Sequence, residues 1–274
     1  MKQFTESLKH NTHPLSLPLI ILLVEYGIMS FSGVSYIGLS KPVFYSFSAD
    51  PFYWFVHLLD LPDLIFDSPK TAQIFSLLPF FLIPLCIFQL RSRLSSCILM
   101  IYFFVYYIIL TSVLGHHNFQ IGLFIIFFPL LFTEKNQYNA VSILRYWILL
   151  FYLTAAFFKI TDPSIFDFGH FSQSLEGQFT TYRLEHSDDF RLVLNQWLIA
   201  KPIFAQFLYF VGIGIELTCL IGFFSFKFDK IIGVCLVIFH IGTWILMDIA
   251  PIGQLSLLGF LFIDWKKQIQ NNNF

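Results

Sequence analysis

The chain has 274 residues, of which 57% are hydrophobic and only 12% charged, and its mean hydropathy is +0.72. Most of such a chain belongs in lipid, and a formal net charge of −1 without a basic cluster excludes a nucleic-acid-binding surface. Long apolar runs carrying many of the 37 Phe residues, in place of short alternating strands, predict an all-α integral membrane protein rather than a barrel.

In chain order, residues 2–13 form a short polar tail and 16–35 a first span. This run is long for the apolar core of a signal peptide, contains Glu25 and lacks a clear small-residue cleavage site, so it is expected to be retained. Residues 36–70 are broken by Pro42, Pro51 and Pro62 yet hold the aromatic stretch DPFYWFVHLL, which suits a re-entrant or a surface helix. Spans are expected over 72–90 and 94–114. The polar GHHN at 115–118 comes next, then a short apolar run over 119–132 and a polar turn over 133–139. A fifth span covers 141–160. Residues 161–202 form a long polar loop, and spans over 203–226, 231–246 and 252–262 complete a polytopic bundle of about eight. No internal repeat is visible, and residues 1–274 read as a single transmembrane domain. Cys86, Cys97, Cys219 and Cys235 lie in or beside apolar runs without metal-type spacing and read as buried free thiols; no metal is predicted.

Orientation follows from the basic residues. With the N-terminus in the cytoplasm, the inner ends hold ten, from Lys2 to Lys267, and the outer ends hold five: Lys41, Lys70, Arg183, Arg191 and Lys201. The positive-inside rule therefore puts both termini in the cytoplasm and the 161–202 loop outside, where a cysteine at Ser172 is expected to react with an impermeant thiol reagent.

Lys159 is the sixteenth basic residue and belongs to neither count, because it ends an almost wholly apolar run. A charged amine there must snorkel, pair or lose its proton. The same orientation gathers His116, His117, Asp248 and, about two turns deeper, His240 on the outer side with Lys159, while Glu25 and Glu216 sit nearer mid-membrane as partners for a buried cation. Each has a plainer reading: a snorkelling lysine, an interfacial histidine pair, a histidine donating to a backbone carbonyl, or carboxyls that link helices or are protonated.

Four segments, in order, resemble the vitamin K-dependent gamma-glutamyl carboxylase and its bacterial relatives, the HTTM (horizontally transferred transmembrane) proteins. LGHHNFQIGLFIIFFPLLF is similar to the family's "NHxYL, then an apolar run" motif with His117 in the histidine place, and LFYLTAAFFKITD is similar to "vYFxAGxxKLxxDW" with Lys159 in the place of the catalytic lysine. GIELTCLIGFFSFKFDKIIG resembles an acidic helix and aligns Glu216, and VIFHIGTWILMDIAPIGQLSLLGF resembles the "FH" helix with His240 in place. The resemblance covers roughly residues 75–265. The family's Asp-Trp becomes Thr161-Asp162-Pro163-Ser164, which keeps an acidic residue and loses the tryptophan. No large extracytoplasmic domain follows the last span, so propeptide recruitment as in the animal carboxylase is not expected.

The resemblance implies a membrane enzyme, in bacteria of the inner membrane. An uncharged Lys159 would deprotonate reduced vitamin K (menaquinol), with O2 and CO2 as co-substrates, to carboxylate a glutamate. His117 and His240 would position or polarise reacting groups, and Glu216, Asp162, Asp248, Glu25 and His116 would serve as ion-pair or supporting residues. The partners it implies are the bilayer, a quinone, and an acidic peptide or small molecule from the outside. A non-catalytic lipid- or quinone-binding protein, with Lys159 paired to Glu216, is the alternative.

Overall fold

The computed structural model describes residues 16–31, 35–39, 41, 51–88, 93–114, 121–178, 189–247, 249, 251 and 253–264. Of these, 87% are helical and none lies in a strand, as the apolar runs require. Five helices are long and apolar enough to cross a membrane: Pro69–Phe88, Arg93–Val113, Lys135–Thr161, Pro202–Phe224 and Phe226–Met247. This is the all-α architecture of an integral membrane protein. His116, His117 and Asp248 lie outside the described residues.

The chain divides into two compact units, residues 1–141 with 252–274, and residues 142–251. The first contains α1 (Ser16–Phe31), α2 (Pro51–Leu58), α3 (Leu61–Phe66), α4 (Pro69–Phe88), α5 (Arg93–Leu114), α6 (Gly122–Ile125) with a 3-10 turn over Phe128–Leu131, and α13 (Gln254–Leu258) continuing into a π-helical turn over Gly259–Asp264. Its centre is aromatic: Tyr36 meets Tyr106 edge-on at 4.9 Å, and Tyr26 packs edge-on against Phe80 and Phe103. The Tyr26 hydroxyl donates to the Ser76 carbonyl and that of Tyr106 to Met29 Sδ.

The awkward 36–70 stretch becomes the two short helices α2 and α3. They bury Tyr53, Val56 and Ile65 while exposing Phe52, Trp54, Phe55 and Leu64. Outside them Lys41 reaches Asp63 at 2.9 Å and Asp67 at 2.7 Å, and the Asp67 hydrogen bond, with that of Asp63, pushes the amine above its ordinary pKa.

The run over 119–132, expected as a short span, is instead α6 and the 3-10 turn. The two are separated at Ile126–Phe127, and the start of α6 lies against the glycine that opens α13: a Cβ on Gly122 would fall 2.1 Å from the Gly253 carbonyl oxygen. Gly253 itself holds φ +74°, the left-handed region that favours glycine. The 252–262 run is correspondingly an α-turn and a π-turn rather than one regular helix.

The second unit is built on α7 (Glu134–Thr161), whose residues from 142 onward belong to it, with α8 (His170–Gln178), α9 (Phe190–Ile199), α10 (Pro202–Leu217), α11 (Cys219–Phe224) and α12 (Asp229–Met247). At 28 residues α7 is about 42 Å long, more than the roughly 30 Å apolar core of a bilayer, so its first turns, EKNQYN, are polar. The residues expected to form a polar turn over 133–139 are mostly this extension. The helix stops where Pro163 denies the α conformation to Asp162, whose side chain caps a 3-10 turn over Pro163–Phe166.

The long polar loop is largely structured. It contains that 3-10 turn, α8 and α9, and Ser172 is buried at 6% exposure rather than available to reagents. The neighbouring Gln173 is exposed. All four cysteines are free thiols, Cys86 and Cys219 buried and Cys97 and Cys235 half-buried.

Candidate functional site

Three residues on α7 repeat every seven positions: Arg145, Tyr152 and Lys159. A seven-residue step drifts only about 20° around an α-helix, so the three share one stripe roughly 10 Å apart. Each makes its polar contact inside the second unit.

At one end Arg145 is fully buried. It donates through Nη2 to Asp229 Oδ1 at 2.6 Å and through Nε to Oδ2 at 3.2 Å, with a further bond from Nη2 to the Gly222 carbonyl at 2.7 Å. The Phe226 ring lies 4.2 Å from the guanidinium. A two-pronged guanidinium with an added carbonyl partner is the geometry in which a buried charge is tolerated. α11 is closely packed here, since a Cβ on Gly222 would lie 2.8 Å from Leu149 Cδ2.

Two turns along, Tyr152 Oη lies 2.5 Å from Nε2 of His240 on α12. One of the two is the donor, and in either case the imidazole ring is fixed in the span. The phenol is the carbonyl-free alternative to the backbone partner expected for this histidine.

At the other end Lys159 Nζ donates to Glu216 Oε1 at 2.5 Å, with the lysine side chain 31% exposed and the glutamate 3%. The lysine therefore does not snorkel outward. Side chains on a helix lean toward its N-terminus, and the four-carbon stem of Lys159 follows that lean to a carboxylate in α10. The Phe239 ring lies 5.5 Å from the amine, and His240 is within electrostatic range of it. Glu216 Oε2 is buried without a hydrogen-bond partner among the described residues. Just past Glu216 lies Thr218, which keeps helical backbone angles between α10 and α11 and whose hydroxyl donates to the Ile215 carbonyl at 2.6 Å.

Lys159, Glu216 and His240 are thus brought together. Asp162 is not part of the group: it is exposed at the helix end and accepts from the Ser164 N–H at 2.8 Å, a bond that holds its carboxyl below the usual aspartate value. Glu25 belongs to the first unit, where its Oε2 accepts from the Gly253 N–H at 3.2 Å and from the Ser256 hydroxyl. It links α1 to the start of α13. Among the described residues no three His, Cys, Asp or Glu side chains converge as metal ligands.

Sequence reasoning missed Tyr152 and the Arg145–Asp229 pair. Arg145 was legible only as a basic residue near a membrane edge, and the signal that could have found both is the seven-residue spacing to Lys159. No family model, curated protein or solved structure matches this chain.

Proposed function

We propose that the protein is a membrane-embedded acid–base enzyme of the vitamin K-dependent carboxylase (HTTM) type, with Lys159 as its base. The observation that carries this reading is the Lys159–Glu216 pair in an apolar helix bundle, beside an imidazole fixed by Tyr152. A lysine acts as a base near neutral pH only where its charged form is disfavoured or its proton has somewhere to go. Glu216 supplies that destination at 2.5 Å.

The residues fit a reduced naphthoquinone. Glu216 Oε2 is a buried acceptor suited to a hydroxyl, and Phe239 offers an aromatic face beside the amine. Bound there, such a cofactor would supply, with oxygen, the base strength needed for proton abstraction from the γ carbon of a glutamate and its carboxylation by carbon dioxide, with quinone epoxide and water as the accompanying products. The chain's own share is to orient the hydroxyl with Glu216, to take its proton on Lys159, and to hold the His240 ring in place through Tyr152. In the same reading both termini are cytoplasmic, about eight segments enter the bilayer of a bacterial inner membrane, and an acidic peptide or small molecule arrives from the 161–202 side. Gln173→Cys tests that side, because an impermeant thiol reagent must reach it in intact cells.

The deciding experiment incubates purified protein with menaquinol, oxygen and bicarbonate and follows quinone epoxide by mass spectrometry. Epoxide that disappears in Lys159→Ala supports the reading. No epoxide, or equal epoxide from the variant, overturns it. A second reading is favoured by the depth of Glu216 at 3% exposure: Lys159 as the structural partner of that carboxylate in a non-catalytic lipid- or quinone-binding protein. It predicts that Lys159→Met loses thermal stability in detergent, and a stable variant that loses a measurable activity counts against it.

A further inference from the structure

One face of α10 carries three polar side chains, Gln206, Tyr209 and Glu216, with the apolar Ile213 between the last two. Gln206, Tyr209, Ile213 and Glu216 recur at intervals of three, four and three residues, a single helical stripe about 15 Å long. Gln206 is 1% exposed; its amide donates to the Ile165 carbonyl at 3.0 Å, while Oε1 is buried without a partner among the described residues. Glu216 at the inner end likewise keeps Oε2 unpartnered.

Tyr209 stands between them. Its ring stacks on Phe171 at 5.3 Å and meets His170 edge-on at 6.0 Å, and its phenol is in electrostatic range of both Asp162 and Glu216. Buried acceptors without protein partners are the groups that ordered internal water satisfies. Ala156, Ile165 and Ile213 form a buried apolar cluster at this level, against which Tyr209 and Leu217 pack.

We propose that this face of α10 holds a short file of ordered water, from Gln206 past Tyr209 to Glu216, which carries protons between the buried Lys159–Glu216 pair and the aqueous end of the helix. A proton leaving the pair passes to water and so to the Tyr209 oxygen as the phenol gives its own proton outward. Tyr209 ends neutral, the pair has lost one proton, and Asp162, His170 or bulk water has gained it. The titratable groups around the face are Asp162 and His170 at the outer end, Lys159 and His240 at the inner end, and Cys219 just beyond Glu216. The inference takes the pair as its inner terminus and is independent of what the pair reacts with.

X-ray hydroxyl-radical footprinting of the detergent-solubilised chain, read by mass spectrometry, detects such water without any substrate. Tyr209 and the 5%-exposed Ile213 are expected to take up oxygen label, and Gln206→Met is expected to remove it while labelling at exposed Phe190 persists. In parallel, Tyr209→Phe, which keeps the ring and its packing, is expected to slow H/D exchange of the pair at least tenfold by infrared spectroscopy. Absence of label at Tyr209 and Ile213 in the native chain overturns the proposal, as does exchange unchanged in Tyr209→Phe. A failure of the epoxide assay leaves both readouts standing.

Discussion

Lys159 and Glu216, 57 positions apart in the chain, meet at 2.5 Å with the carboxylate almost fully enclosed. Removing one member of a buried pair strands the other charge, whereas removing both replaces it with packing. Lys159→Met alone is therefore expected to cost about 3 kcal/mol, and the double variant Lys159→Met, Glu216→Leu to recover most of it. Thermal midpoints in one detergent check this; a double variant no better than the single refutes the coupling.

Tyr152→Phe removes one hydrogen bond and leaves the ring. The expected loss is about 1 kcal/mol, a fall of roughly 2–4 °C in thermal midpoint for a chain of this size. The fall should vanish in a His240→Leu background, because both changes remove the same contact.

Arg145→Lys keeps the charge but cannot reach both Asp229 oxygens and the Gly222 carbonyl with one planar group. It is expected to destabilise by about 2 kcal/mol, more than a surface arginine would. Gly222→Ala, driven against Leu149, should cost about 1–3 kcal/mol by the same assay.

Asp162 gives a pH signature. Its carboxyl is held below the ordinary aspartate value by the Ser164 backbone N–H, so its contribution is present above that ordinary value, about 4, and is lost as pH falls through the lowered folded value. Thermal midpoints of the native chain and of Asp162→Ala should therefore converge on acidification below about pH 4 and stand apart at neutral pH. Parallel curves across that window sink the assignment.

Gly253→Ala should be among the most damaging single changes in the first unit. It places a Cβ 2.4 Å from the Leu123 nitrogen at a backbone φ of +74°. A loss of folded protein in size-exclusion chromatography, with Gly177→Ala unaffected where no neighbour lies within 4 Å, is the expected result.

Apolar length is written in composition, so the long helices at 69–88, 93–114 and 202–224 were legible from the sequence. The short broken segments were not, because the close approach of Gly122 to Gly253, which packs their starts together, joins positions 131 residues apart and leaves no mark in either run. Lys159, Glu216 and His240 stood out because charge and imidazole are rare in such runs. Tyr152 did not, since it is one of 12 tyrosines in a chain that is 20% aromatic and only its partner gives it meaning. The polar segment at 161–202 looked like loop because its helices are short and bury Leu175, Asn195 and Leu198 against the membrane helices of their own unit.

The stripe of Arg145, Tyr152 and Lys159 has one more consequence. Because its three contacts run to α10, α11 and α12, sliding α7 by a single turn would break all of them together. This helix cannot slip by a turn without losing all three, so its register against α10, α11 and α12 is fixed along its whole length in the second unit.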